Sequence, residues 1–345
     1  MRIDRIDPFE PMTPESDRYQ QPPADGGGAM AQAVRQGLAP ILWVGHAGMG
    51  KSTELVRAAS LLQSSGPALR FDVGTIPGGV KPERVLYEVA VHTVHWWAQE
   101  GPDPLPSPFL VQDLRASDPS FPQGQGRTLP PHEIALAAWA ELTGAAERDR
   151  VPLLIDGVDH LEPDCARAVL KALLVLEPYA DLVVVGGPAQ ATGELNRAVV
   201  DRYRVVSLDP WDVERDAGYA AAVVQGYVGG DEPVAEPLVQ RLVHASGGCM
   251  RDLLALTRDA AAYADETLDD AAIDKAIIDR VERFRRLVLS GDRQALREAH
   301  ETSGLETPSD RKVRLLQHGL LMERGVGEAA RVSVHPMAKR LMDVD

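Results

Sequence analysis

The chain has 345 residues, and at about 150 residues per domain that length predicts two or three domains. Hydrophobic residues make up 44% and charged residues 25%, close to globular averages, which excludes wholesale disorder and collagen-like repetition. Lys and Arg total 36 against 51 Asp and Glu, a formal charge of −15 that opposes non-specific attraction to nucleic acid or anionic lipid. No run of about 18 apolar residues occurs, and Met1 to Glu10 mixes charges with prolines, so neither a membrane span nor a signal peptide is expected. Cys165 and Cys249 form no metal or disulfide pattern; they suit buried thiols of a reducing cytoplasm.

In chain order, residues 1–28 carry Pro8, Pro11, Pro14, Pro22, Pro23 and the Gly26-Gly27-Gly28 run, which predicts a mostly extended arm. Short apolar runs follow: Ile41 to Val44, Leu69 to Val73, Val151 to Ile155, Leu182 to Val185 and Val205 to Leu208. They alternate with helical patterns, which predicts an α/β domain over residues 29–209, a doubly wound parallel sheet with helices on both faces. Between Gly101 and Pro131 eight prolines fall, too many for a helix or central strand, so a long surface insertion is expected there. After Pro210 the strand runs stop. Amphipathic segments Asp212 to Tyr227, Val234 to Ala245, Met250 to Ala264 and Ala271 to Leu289 predict a helical lid over residues 210–290. From Gly291 two short helical stretches precede Leu320 to Arg324, a Gly325-Val326-Gly327 turn and Arg331 to Val334, which suggests a winged-helix unit over residues 291–345. No internal repeat is present.

Gly45-His46-Ala47-Gly48-Met49-Gly50-Lys51-Ser52 fits the G-x-x-x-x-G-K-[ST] phosphate-loop pattern, and Thr53 follows it. It lies between a strand and a helix, so successive backbone N–H groups and the positive helix end would face a polyphosphate. Lys51 is expected to bridge the β- and γ-phosphates of ATP, and Ser52 to ligate Mg²⁺. The strand Pro152-Leu153-Leu154-Ile155-Asp156 ends in a carboxylate, which in such a sheet lies beside the phosphate loop, making Asp156 the second Mg²⁺ candidate. Asp159, three residues on, is the candidate general base for the attacking water or, alternatively, a helix cap.

On these residues the chain resembles AAA+ and STAND-type P-loop ATPases from about Asp7 onward. Asp156-Gly157-Val158-Asp159 is similar to the Walker B of STAND and NACHT-type ATPases, in which a downstream acid replaces the adjacent one; Gly157 stands at the adjacent position. Asp201-Arg202-Tyr203 is similar to the Ser-Arg-Phe element that supplies an arginine finger to a neighbouring subunit, which implies that role for Arg202, with Arg204 as the alternative. Ser246 to Leu254 resembles an initiator-type sensor 2 region, which implies that Arg251 reaches the γ-phosphate from the lid. Sensor 1 would have to be Gln190 or Thr192, because Leu182 to Val185 runs into Gly186-Gly187-Pro188. Asp7-Pro8-Phe9 looks like the Asn-Pro-Phe arm that lies against adenine in several relatives.

His92 and His95 share a helix face at a metal-permitting spacing but lack a third ligand and adjoin Trp96 and Trp97, so packing is the expected role. The charged run Asp279 to Arg286 reads as a solvated face. The C-terminal cations Arg311, Lys312, Arg314, Arg324, Arg331, Lys339 and Arg340 share their unit with Glu323 and Glu328, which favours a protein partner over duplex DNA. The expectation is a cytoplasmic ATP-hydrolysing switch that couples nucleotide state to homo-oligomerisation or partner release; the resemblance implies a setting in bacterial signalling or antiviral defence. A duplex-loading initiator-like ATPase is the alternative, and a phosphate-loop kinase would need a substrate pocket for which no motif is present.

Overall fold

Alternation along the strands builds the first domain. In the computed structural model, which describes residues 12, 16, 19–76, 79–118, 129–187, 201–228, 234–265, 267–289, 291–302, 310–324 and 331–342, β1 (Ile41–Val44), β2 (Leu69–Asp72), β3 (Val151–Asp156), β4 (Ala180–Gly186) and β5 (Arg204–Ser207) form a parallel sheet in the order β2-β3-β4-β1-β5. Successive side chains on a strand point to opposite faces. Ile41, Trp43, Leu154, Val183 and Val185 therefore pack with Met30, Val34, Leu55, Ala58 and Leu62 of helices α1 (Gly26–Arg35) and α2 (Lys51–Gln63). Their neighbours Leu42, Val44, Leu153, Ile155, Leu182 and Val184 face the opposite layer, made by α3 (Pro82–Glu100), α4 (Pro108–Ala116), α5 (Pro131–Ala145) and α6 (Pro163–Leu173). Both faces are covered, as a parallel sheet requires.

Two expectations are corrected here. The glycine run is helical: Asp25 caps α1 by accepting the Gly28 N–H at 2.9 Å, and the glycines permit close approach. A Cβ at Gly27 would lie 2.8 Å from the Glu54 carbonyl oxygen, and one at Gly26 3.0 Å from the Trp43 ring. The proline-rich stretch likewise contains α4, because Ser107 caps it and Pro108 occupies the first turn, where a missing N–H costs nothing; Leu110 and Leu114 bury its inner face. Residues 119–128 of that stretch lie outside the described residues. Cys165 is only partly buried, whereas Cys249 is buried. His92 packs on Phe71 with ring centroids 5.6 Å apart, and His95 meets Gln99 at 3.1 Å.

The remaining elements are α7 (Ala217–Val228), α8 (Glu236–Ser246), α9 (Met250–Tyr263), α10 (Asp270–Leu287), α11 (Asp292–Thr302), α12 (Asp310–Gln317), the antiparallel pair β6 (Leu321–Arg324) and β7 (Arg331–Val334), and α13 (Pro336–Lys339). One apolar core joins Val224, Leu242, Leu253 and Ile273 to Leu296, Leu316, Leu321 and Met337. The helical segment and the C-terminal unit are thus packed as one body. The Gly325-Val326-Gly327 turn lies outside the described residues. No helix among them is long and apolar enough to cross a membrane.

Candidate active site

β1 ends at Val44, and the loop from Gly45 to Gly50 turns into α2 through Gly50, whose φ of 89° suits glycine alone. Lys51, only 4% exposed, is folded back: its Nζ donates to the carbonyls of Gly45 at 2.7 Å and His46 at 2.8 Å and lies 3.0 Å from Asp159 Oδ2. Burial alone would raise the Asp159 carboxyl, but Lys51 and then His160 outweigh it and hold the group below the usual carboxylate range. Asp159 Oδ1 is buried with no hydrogen-bond partner among the described residues. The structure therefore brings the expected phosphate-binding lysine and the expected base into direct contact.

Asp156 closes β3, with its backbone level with Asp72 of β2. Burial raises its carboxyl above the ordinary value, opposed by hydrogen bonds from the Ser52 hydroxyl and the Gly157 N–H; the latter is 2.9 Å long. Ser52 and Asp156 thus present adjacent hard oxygen donors, a set that fits Mg²⁺, which takes one or two protein oxygens and fills its other positions with phosphate and water. Asp72 is a second carboxylate at this sheet edge that the sequence reading missed, although its strand also ends in an acid.

Above the loop lies a cleft. It is lined by Met12, Tyr19, Gln20 and Pro22, by Tyr219, Val223 and Tyr227 of α7 with Met250, Arg251 and Leu254 of α9, by Gly48 to Glu54, and by Asp159 and His160. Arg251 lies against the loop, where its backbone N–H donates to Gly48 O at 2.9 Å. Gly48 must be glycine: φ is 87°, and a Cβ there would lie 2.5 Å from that of Arg251.

Two further loop residues engage distant elements. Ala47 O accepts from Cys249 Sγ at 3.7 Å, and the Glu323 N–H of β6 donates to His46 Nε2. His46 is 3% exposed; burial, followed by the charge of Lys51, lowers its pKa to about 4. The ring is neutral near pH 7, so Nε2 is free to accept. In the sequence His46 occupies one of the four variable positions of the loop pattern.

Arg202 is not brought to this site. It precedes β5, whose first residue Arg204 is level with Ile41 at the start of β1, whereas the loop follows the other end. Four strand residues place that edge roughly 13 Å away along the sheet. Arg202 pairs with Glu177 at 2.7 Å. Any finger role for it, or for Arg204, must act on another subunit. We expect Arg202→Ala alone and Lys51→Ala alone to be poor ATPases, and their mixture to recover activity. Recovery is measured as phosphate release against mixing ratio, and no recovery at any ratio excludes the trans role. Gln190, Thr192 and Asp7-Pro8-Phe9 lie outside the described residues.

No family model matches this sequence, and no curated protein matches it either. Among solved structures, the Aeropyrum pernix Orc1 protein in complex with DNA is similar over 94% of this chain and 93% of its own, with a TM-score of 0.51 and 14% identity. The likeness is one of fold, that of the AAA+ P-loop ATPases. The Thermotoga maritima RuvB Holliday junction branch migration motor aligns over 96% of this chain and 98% of its own, with a TM-score of 0.45 and 14% identity.

Proposed function

We propose that the protein is an ATP-binding and ATP-hydrolysing switch in which occupancy of the phosphate loop is transmitted to the C-terminal unit. One observation carries this reading: three consecutive loop residues, His46, Ala47 and Gly48, are bonded to β6, to Cys249 and to Arg251. A loop that reshapes around phosphates must disturb all three bonds.

Lys51 would exchange Asp159 for the β- and γ-phosphates. Asp159, released, would orient the attacking water and accept its proton through Oδ1, which accepts no hydrogen bond among the described residues and lies 3.8 Å from His160 Nε2. Ser52 and Asp156 would hold Mg²⁺, which supplies charge neutralisation for phosphoryl transfer. Arg251 would add a cation from the lid. The output is a change in self-association or the release of a protein partner through a winged-helix-like unit; a role in bacterial signalling or defence rests on the resemblance of Asp156-Gly157-Val158-Asp159 to STAND sequences.

The alternative is duplex binding by that unit, favoured by the likeness to a structure that is itself a DNA complex. Against it, two of the three cations of α12 are engaged internally: Arg314 pairs with Asp292 and donates to Leu287 O at 3.0 Å, and Arg311 lies 3.7 Å from the same carboxylate, which is 2% exposed. Few phosphates could be neutralised together. The test is light scattering after size exclusion, with phosphate release, for protein alone, with a non-hydrolysable ATP analogue, and with added duplex. An analogue-dependent change in mass, lost in His46→Ala, supports the switch. Micromolar duplex binding that falls steeply with salt replaces it by the loader, and absence of ATP hydrolysis overturns both.

A further inference from the structure

Glu54 lies one turn beyond Lys51 on α2 and is 2% exposed. A carboxylate buried so close to a polyphosphate site works against an anionic ligand unless its charge is absorbed and its oxygens are filled. Both conditions are met. Oε2 accepts the Gly27 N–H at 2.6 Å, and Oε1 accepts the Tyr19 hydroxyl at 2.9 Å. Arg57, on the same helix face, donates to the Tyr19 oxygen at 3.2 Å, pairs with Asp25 at 2.7 Å and lies 3.8 Å from Glu54. Thr53 Oγ1 accepts the Met12 N–H at 3.2 Å. The helix that opens on the phosphate loop therefore also grips Met12, Tyr19, Asp25 and Gly27.

Of these, Met12 and Tyr19 also line the cleft. Met12, Tyr19 and Pro22 line it together with Tyr219, Val223 and Leu254, a largely apolar lining that adjoins Gly48 to Glu54 of the phosphate loop and α2. An apolar-lined cleft beside a phosphate loop accepts an aromatic ring joined to a polyphosphate. We infer that Glu54 is a positioning residue for the nucleobase: by holding Tyr19 and Gly27 it fixes the N-terminal part of the cleft lining, and so supplies the part of nucleotide affinity that depends on the base.

This inference rests on the nucleotide reading above, and the experiment separates the two. Calorimetry compares Mg²⁺-ATP with Mg²⁺-tripolyphosphate, which has the phosphates and no base, for wild type, Glu54→Gln, Tyr19→Phe and the double variant. The amide keeps one acceptor and loses the second oxygen's capacity and the charge, whereas Tyr19→Phe removes only the hydroxyl and leaves Gly27 bonded. Glu54→Gln is expected to weaken ATP about tenfold while changing tripolyphosphate less than about twofold. Tyr19→Phe is expected to reproduce a large part of that loss, and the double variant to be no weaker than Glu54→Gln within about twofold, because both remove the same link. Equal weakening of both ligands, or of neither, overturns the inference, as does a wild type that binds ATP no more tightly than tripolyphosphate. A wild type that binds neither ligand overturns the nucleotide reading itself. If Glu54→Gln does not fold, Tyr19→Phe decides by the same ratio.

Discussion

Lys51→Ala is expected to weaken ATP binding by about ten- to a hundredfold, because hydrogen bonds to a charged group contribute about 1.5–3 kcal/mol each. The measurement is calorimetric titration with Mg²⁺-ATP, and unchanged affinity would remove the phosphate-loop assignment. The structure adds a second effect. Lys51 is the cation 3.0 Å from Asp159, and the two side chains are 4% and 9% exposed, so the alanine leaves a buried carboxylate without its main counter-charge. Breaking such a pair from one side costs about 3–5 kcal/mol, and the unliganded variant should melt well below wild type. Adding Asp159→Asn to Lys51→Ala removes the stranded charge; it should restore much of the melting temperature and none of the ATP affinity. Asp159→Asn alone should bind ATP and fail to hydrolyse it, since the amide orients water but accepts no proton. If the single Asp159→Asn variant hydrolyses normally, Asp159 is the lysine's resting partner and nothing more.

The same residues show what the sequence makes legible. Strand alternation, the phosphate loop and the acid at the end of β3 are local patterns, and the sheet, Lys51 and Asp156 follow from them. The glycine run and the proline cluster are also local, but their cause is distant: Gly26 and Gly27 let α1 approach Trp43 and the Glu54 backbone, and Pro108 starts a helix whose Leu114 carbonyl accepts the Tyr87 hydroxyl of α3. Composition alone reads both as loops. Glu54 resembles an ordinary acid in a helix's first turn, where the dipole favours it; only the fold shows Tyr19 and Gly27 arriving at its oxygens. His46 has no motif to mark it, since its partner is a backbone N–H on β6.

Asp252 lies inside the sensor 2-like stretch, which singles out Arg251 and not Asp252, and its replacement by alanine should give the largest loss of stability outside the loop. It lies in the first turn of α9, next to Arg251, and is 6% exposed. Oδ1 accepts from Arg280 of α10, and Oδ2 lies 3.1 Å from Nε2 of His335, the residue that caps α13. His335 Nδ1 accepts the Met337 N–H at 3.2 Å, which leaves the proton on Nε2, facing Asp252 and Ser246 O. One carboxylate therefore ties α8, α9, α10 and α13 together beneath the loop. Burial would raise its pKa, but His335 and then Arg280 more than reverse this, and it falls to about 2. An unfolded aspartate titrates near 3.9, so this depressed group adds about 2–3 kcal/mol that is fully present above pH 5 and is lost as pH falls toward 2. Asp252→Ala also leaves Arg280 and His335 buried without their acceptor, for a total near 3–5 kcal/mol. At neutral pH the melting temperature should drop by on the order of 10 °C. Wild type should lose its advantage over Asp252→Asn between about pH 5 and pH 2, because the amide has no proton to gain in that window. A difference that stays constant with pH would show that Asp252 acts by shape and hydrogen bonding and not by its charge.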